Sequence, residues 1–450
     1  MILQALTELY DALDQKGLVP KDGWTQKGVS YGIDLSEDGT VFQLLPLCVK
    51  KEELKKPIPR TFTVPQIKGA RSSGVNAAFL CDNPLYLLGI SEKNSDDWKM
   101  ERFNAAKELH QKLLGDVDTK PAQAICRFFD VWDPKVEHEE FSEQMKDLLK
   151  GVNLLFFFDG KPAVEYKEIA DAWNGYYHLE EDKVEMPCLI SGKNVPAVKL
   201  HPKTMRIPNG QPTGTMLISF NKEAFNSYGL TQGYNAAVSR EEAFKWGTAL
   251  QYLVDDFENR RKIGDMILVC WAANGNPAYS KFAMSAMMGF DQYANENDII
   301  NVFHTLADGH KADWDDSVLD PDIRFYILGL VPNTARLSVR FFYRDTFGDL
   351  MRNVNEHFEE MRIVKPDERC YDTVSLKGIM METVRKMTKA SDTEKLFNKE
   401  LSESIFKSVI FGTPYPMSLR NAVGNRIQKD SVGNYHRDAI IKMFYTRNQS

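Results

Sequence analysis

The densest run of side chains suited to catalysis is Asp308, His310, Asp313, Asp315 and Asp316. Two-metal hydrolysis of a phosphodiester needs clustered carboxylates and imidazoles, because they hold the cations over the attacking and leaving oxygens. The same stretch carries Gly309 and Lys311, and a solvated polar loop has that composition too. Glu137, His138, Glu139 and Glu140 read as an exposed helix face, while His110, His178, His201, His304, His357 and His436 are isolated and read as core or surface polar groups. Signatures of other chemistries are missing. The chain has no GxxxxGK[ST] phosphate loop, no GxGxxG after a strand, no GxSxG elbow and no HExxH pair. Cys48, Cys81, Cys126, Cys188, Cys270 and Cys370 are widely spaced, with no CxxC and no neighbouring His at ligand spacing. They predict buried reduced thiols in a cytoplasmic protein, with no metal and no cofactor.

A second kind of chemistry lies in the cations. Lys+Arg 56 against Asp+Glu 63 gives a net charge of −7, yet the charge is segregated. Lys50, Lys51, Lys55, Lys56, Arg60, Lys68 and Arg71 face only Glu52 and Glu53 in their stretch. Arg420, Arg426, Lys429, Arg437, Lys442 and Arg447 face Asp430 and Asp438 near the end. Such patterning offers anions a local surface on an otherwise acidic molecule, and two solvated segments would have it as well. A third candidate is the stretch 219–239, rich in amides, Gly and Tyr. It is either ordered by its own side-chain hydrogen bonds or presents amides to a phosphate backbone.

These residues need elements to position them. The 450 residues are 43 % hydrophobic and 26 % charged, which excludes collagen-like and globally disordered classes. Length gives a prior of roughly three domains. Apolar runs such as Leu154 to Phe158 are far short of the ~20 residues that cross a bilayer. Met1 to Leu13 reads as an amphipathic helix without an export signal. The runs 28–35 and 40–47, joined by an Asp-Gly turn, predict a hairpin, and a strand is expected over 85–90. Helical periodicity occupies 97–114, 122–132 and 136–149. Strands are expected at 153–158, 188–191, 265–272 and 323–331, and a helix at 168–173. Another covers 240–257, capped by Ser239 and Glu242.

Over 336–344, Leu337, Val339, Phe341 and Tyr343 alternate with Arg336, Ser338, Arg340, Phe342 and Arg344, which predicts a strand with three arginines on one face. A helix follows over 347–362, with Thr346 and Asp349 as its capping pair, and from Thr373 onward only helices are expected. The last of these, 436–447, carries an apolar face at Ile440, Ile441 and Phe444 that wants a partner. The expected fold is α+β: a mixed N-terminal region with a small antiparallel sheet (1–96), a helical segment (97–151), a larger mixed α/β body (152–372) and a helical C-terminal region (373–450).

Several stretches carry a likeness in order along the chain: Met1 to Leu6, Ser72 to Asn83 running into Tyr86 to Gly89, 219–239, Ile263 to Asp265 leading into Cys270 to Ala272, Phe325 to Arg340, and Pro414 to Pro416. In these stretches the chain resembles the large subunit of the type I-C CRISPR surveillance complex, Cascade, also called the Csd-one family. Family members generally continue into a helical region similar to the complex's small subunit, which this chain lacks, and Ala77 and Ala78 stand where the family often has Pro and Asn. The resemblance implies a non-enzymatic protein that recognises the protospacer-adjacent motif in double-stranded DNA, promotes unwinding and R-loop formation, and helps recruit the helicase-nuclease. Its implied partners are crRNA, target DNA, the handle-binding subunit, the filament backbone subunits and the small subunit, with no membrane. Placed on that division of labour, Lys68, Arg71, Ser72, Ser73, Gly74 and Asn76 are the expected motif readers. Lys50, Lys51, Lys55, Lys56, Arg60, Arg336, Arg340 and Arg344 are the expected backbone contacts. A metal-dependent nuclease built on the Asp308 to Asp316 cluster and a purely architectural subunit holding the crRNA handle are the alternatives.

Overall fold

Helix α1 (Ile2–Asp14) turns Leu6, Leu9, Tyr10 and Leu13 inward and belongs with the far end of the chain. The computed structural model describes residues 1–50, 57–68, 74–92, 95–136, 141–179, 184–256, 260–288, 296–364, 374–430 and 434–449. These divide into two units, Pro20–Lys183 and the pair of segments Met1–Val19 and Val184–Ser450.

The unit Pro20–Lys183 is built from β1 (Trp24–Val29), β2 (Tyr31–Leu35), β3 (Val41–Pro46), β4 (Cys48–Val49), β5 (Ile58–Pro65), β6 (Cys81–Asp82), α2 (Pro84–Leu87), α3 (Asp96–Leu114), α4 (Lys120–Val131), α5 (Met145–Leu149), β7 (Leu154–Phe158), β8 (Lys161–Pro162) and α6 (Lys167–Tyr177). One sheet runs β3-β2-β7-β6, with β8 on β7, and a second runs β1-β5-β4. The predicted hairpin is β2–β3. Its turn closes at Gly39, whose φ of +87° and whose approach to the Phe128 backbone (2.5 Å from a would-be Cβ) both require glycine.

The apolar run Leu154–Phe158 forms β7, parallel to β2 and almost wholly buried. The strand expected to open the second region therefore sits inside the first unit, because its partner is β2. The strand expected over 85–90 is instead the turn of helix α2: the Asn83 side chain accepts from Tyr86 N–H and Pro84 occupies the first turn. Of the helix expected over 136–149, the described residues show α5.

The other unit contains β9 (Glu185–Pro187), β10 (Asn194–Pro196), β11 (Lys203–Thr204), β12 (Thr215–Met216), α7 (Arg240–Asp255), β13 (Arg260–Ile263), β14 (Met266–Ala272), α8 (Pro277–Met288), α9 (Glu296–Ala307), β15 (Ala312–Trp314), β16 (Ser317–Leu319), β17 (Arg324–Asn333), β18 (Arg336–Thr346), α10 (Phe347–Met361), α11 (Leu376–Met381), α12 (Ala390–Glu394), α13 (Lys399–Phe411), α14 (Met417–Asp430) and α15 (Tyr435–Gln449). Its main sheet has the order β11-β12-β18-β17-β14-β13. Strand β14, Met-Ile-Leu-Val-Cys-Trp-Ala, is buried at every position, as a strand covered on both faces must be. Ile267, Val269 and Trp271 pack with α1 and α7, while Met266, Leu268 and Cys270 pack with α8, α10 and α13. Cys188 to Ser191, expected to be a strand, is the turn joining β9 and β10.

Helix α15 finds its partner within the chain. Ile440, Met443 and Phe444 are buried in the core beside α10, so the apolar face expected to be uncovered is covered. Two of its arginines are drawn in as well. Arg437 Nε meets Glu382 at 2.9 Å and Nη2 meets Asp430 at 2.7 Å, while Arg447 Nε meets Glu360 at 2.8 Å and Nη1 donates to Ser408 C=O at 3.0 Å. The basic C-terminal segment thus spends Arg437 and Arg447 on its own attachment, and Arg426 also pairs with Asp430. The fold is mixed α and β with several small sheets and a helical C-terminal end. No helix among the described residues is long and apolar enough to cross a membrane.

Candidate nucleic-acid interface

The small sheet β1-β5-β4 carries the first group of cations. Arg60 is exposed on β5, its guanidinium 5.1 Å from the centre of the Phe62 ring, and Lys50 is exposed just past β4. Neither is in an ion pair among the described residues, so both remain available to an anion. Lys51, Lys55 and Lys56, expected beside them, lie outside the described residues, as do Arg71, Ser72 and Ser73 of the expected reading loop. Cys48 is exposed rather than buried, since β4 is a two-residue edge strand.

The rest of that loop is fixed from beneath. Gly74 is exposed, with φ +152° and open space around it, while Asn76 is half-buried between Val75 and Ala77, which pack against the core. Beyond them Phe79 is fully buried, stacked on Trp173 with ring centres 5.6 Å apart. Asp82, also fully buried, accepts from Ala78 N–H at 2.8 Å and Asn83 N–H at 2.7 Å. Leu80 stands in the left-handed region (φ +62°) and donates its N–H to His110 Nε2 at 2.9 Å.

His110 must then carry its proton on Nδ1, which donates to Ala106 C=O at 2.7 Å. Burial pushes its pKa down to about 4, against the opposing pull of that carbonyl. His110 and Asp82 are positioning residues for the loop. Sequence reading placed His110 only as a core or surface polar group and gave Asp82 no role, because the partners of a lone His and a lone Asp are set by the fold. Lys68, expected among the motif readers, has its Nζ donating to Leu179 C=O at 2.6 Å and Tyr176 C=O at 3.2 Å, 4.7 Å from the Tyr176 ring centre. The carbonyls at the C-terminal end of α6 and the helix dipole attract it there.

The three arginines of β18 do not share a face. The β17–β18 ladder pairs Gly329 with Phe341 and Leu330 with Val339, leaving Arg340 as the extra residue of a bulge. One inserted residue exchanges the faces: Leu337 packs with Phe342 on the α1/α7 side, whereas Phe341 and Tyr343 pack on the other. Arg344, opposite Tyr326, lies on the α1/α7 side. Arg336 binds the Asn221 side chain and sits 4.6 Å from the Phe225 ring centre, so it docks the start of the 219–239 stretch.

That stretch is ordered by its own side chains. Asn235 Oδ1 accepts from Ser227 N–H at 2.8 Å, and Asn235 Nδ2 donates to Leu230 C=O and Gln232 C=O, each at 3.1 Å, and to Asn226 Oδ1 at 3.3 Å. Of the two readings open from sequence, internal hydrogen bonding is therefore the one observed for this amide. At the far end Gly233 N–H donates to Lys199 C=O at 2.9 Å. Ser239 accepts from Glu242 N–H at 3.2 Å and caps α7.

The acidic stretch is dispersed. Asp315 and Asp316 occupy left-handed positions (φ +46° and +52°) in the turn between β15 and β16, and Asp315 pairs with Lys281 at 2.9 Å. Among the described residues no three His, Cys, Asp or Glu side chains converge as a metal site. Glu137 to Glu140 lie outside the described residues. Burial pushes the Cys81 and Cys270 thiols up to about 12, and Cys370 is outside the described residues. No curated protein matches the chain. The family model described as CRISPR-associated protein (Cas_Csd1) matches residues 6–450, from α1 through α15 and across both units, and the chain belongs to that family of CRISPR-associated proteins.

Proposed function

We propose that the chain is the large subunit of a type I-C Cascade complex, acting by binding and not by catalysis of its own. In this reading it recognises the protospacer-adjacent motif in duplex DNA beside the crRNA-bearing filament, promotes strand separation, and helps recruit the helicase-nuclease. The observation that carries the reading is the family match over residues 6–450. The small sheet supports it, with Lys50 and Arg60 exposed in the unit that also holds the loop anchored by Asp82 and His110. Cations of this kind grip phosphates without reading bases, and a short backbone-rich loop held on a rigid base reaches groove edges. In this reading Lys68 ties the start of the loop to the end of α6.

The test is a mobility-shift titration of the reconstituted crRNA complex, with and without this chain, on guide-matched duplexes bearing the correct or a scrambled flanking motif. The motif is expected to tighten binding only when the chain is present. Lys50→Glu with Arg60→Glu should weaken both duplexes alike and reduce the dependence of log K on log salt by about 0.9 for each phosphate no longer neutralised. A motif effect that persists without the chain overturns the reading. Equal binding to both duplexes with the chain present leaves an architectural subunit.

A further inference from the structure

Within the 219–239 stretch one aromatic side chain stands fully in solvent: Tyr228, with a relative accessibility of 101 %. It occupies an unusual turn. Leu230 N–H donates to Ser227 C=O at 2.9 Å, and the two residues between them both have positive φ, +53° at Tyr228 and +72° at Gly229. That is the pattern of a type I′ turn, whose first central position favours Asn, Asp or Gly because a larger side chain is strained there. A bulky residue in this region marks strain that the surroundings must overcome.

The surroundings do so. Asn235 directs all four of its hydrogen bonds at the residues around the turn. At the loop's start Arg336 holds Asn221 and Phe225. At its base a Cβ on Gly233 would lie 2.6 Å from Val198 C=O, so the backbone is seated directly on its neighbour. The arrangement is rigid, costs stability, and holds an unattached ring out from the surface.

We propose that Tyr228 is a stacking platform for an unpaired nucleobase of a single-stranded nucleic acid. This rests on the binding role proposed above and names a contact for it outside the unit Pro20–Lys183. Stacking tolerates any base, since each has a π-face, and needs a ring with an accessible face and cations nearby for the backbone. Lys222 in the same loop is exposed and outside any ion pair among the described residues. An aromatic anchor for a protein pocket sits instead within a rim of apolar contacts that exclude water. The chain neighbours of Tyr228, Ser227 and Gly229, are both exposed and carry no apolar side chain for such a rim.

The experiment uses the purified full chain with a fluorescein-labelled single-stranded DNA 20-mer, the matching duplex, and a single strand carrying one 2-aminopurine. Tyr228→Ala and Tyr228→Gly are expected to weaken single-strand binding about 5- to 150-fold, corresponding to roughly 1–3 kcal/mol for one stacked base, and to abolish 2-aminopurine quenching. Tyr228→Phe keeps both. Duplex binding is unchanged in all three variants, and Tyr228→Gly melts at or above the temperature of the parent because glycine relieves the turn. Undiminished single-strand binding by Tyr228→Ala overturns the proposal, as does an equal loss in Tyr228→Phe or loss of subunit assembly with binding intact. If Lys50→Glu with Arg60→Glu weakens duplex binding while Tyr228→Ala changes nothing, the platform alone is wrong. If the parent binds neither strand form, both readings fall.

Discussion

His110 shows how much one buried side chain can decide. Its two ring nitrogens serve opposite roles, one accepting from the strained Leu80 amide and one donating to Ala106. Protonation would destroy the first bond and place a charge in the core. Because its pKa in the fold is about 4, below the ordinary value of ~6.5, the unfolded chain binds a proton more readily. His110 therefore favours folding fully above ~6.5, and its contribution falls as the pH drops toward 4, at roughly 1.4 kcal/mol per pH unit.

Urea unfolding of the full chain between pH 4 and 7 should show that slope. His110→Ala should reduce the slope by that amount, leaving the contribution of His357, likewise pushed down by burial to about 3, and cost about 3–5 kcal/mol through the cavity and two unpaired backbone groups. Lys68 illustrates the converse. In sequence it is one cation among seven near the reading loop, and only folding brings it to the carbonyls at the end of α6. Residue type was legible at both positions, but the partner that fixes the role was not.

Among elements, β18 separates what alternation can foretell from what it cannot. The apolar positions 337, 339, 341 and 343 announce a strand, and a strand is present. The bulge at Arg340 depends on how β17 aligns with it, and no feature of the 336–344 pattern records that alignment. Helix boundaries carrying their own caps, Ser239 for α7 and Thr346 for α10, were legible because the cap and the helix are neighbours in the chain. The three arginines should accordingly behave differently. Arg336→Ala removes a cation–π contact and a charge-assisted hydrogen bond, together worth about 1–3 kcal/mol, and should raise amide exchange across 219–239 by tenfold or more. Arg340→Ala and Arg344→Ala, at exposed sites, should leave exchange and stability within about 0.5 kcal/mol of the parent. Equal effects of all three on exchange would contradict the bulged register.

For the molecule as a whole, the division of the core matters most. The cluster around Phe79, Phe128, Phe156 and Trp173 belongs to the unit Pro20–Lys183, and the two clusters on either side of the large sheet belong to the other unit. Units with separate cores unfold separately unless an extensive interface couples them. Scanning calorimetry of the full chain should therefore resolve two transitions, with His110→Ala lowering one and Glu382→Ala, which removes the Nε partner of the buried Arg437, lowering the other. A single transition shifted by both variants would show tight coupling.

The position of α1 also sets a schedule for biosynthesis. This helix leaves the ribosome well ahead of the elements that cover Leu6 and Leu9, which are α7, β14 and β17. At ~5–20 residues per second, it waits roughly ten seconds to a minute with its apolar face open, while the intervening unit can fold. That interval makes α1 the segment of the nascent chain most in need of a chaperone, and it ends only when the sheet has been translated.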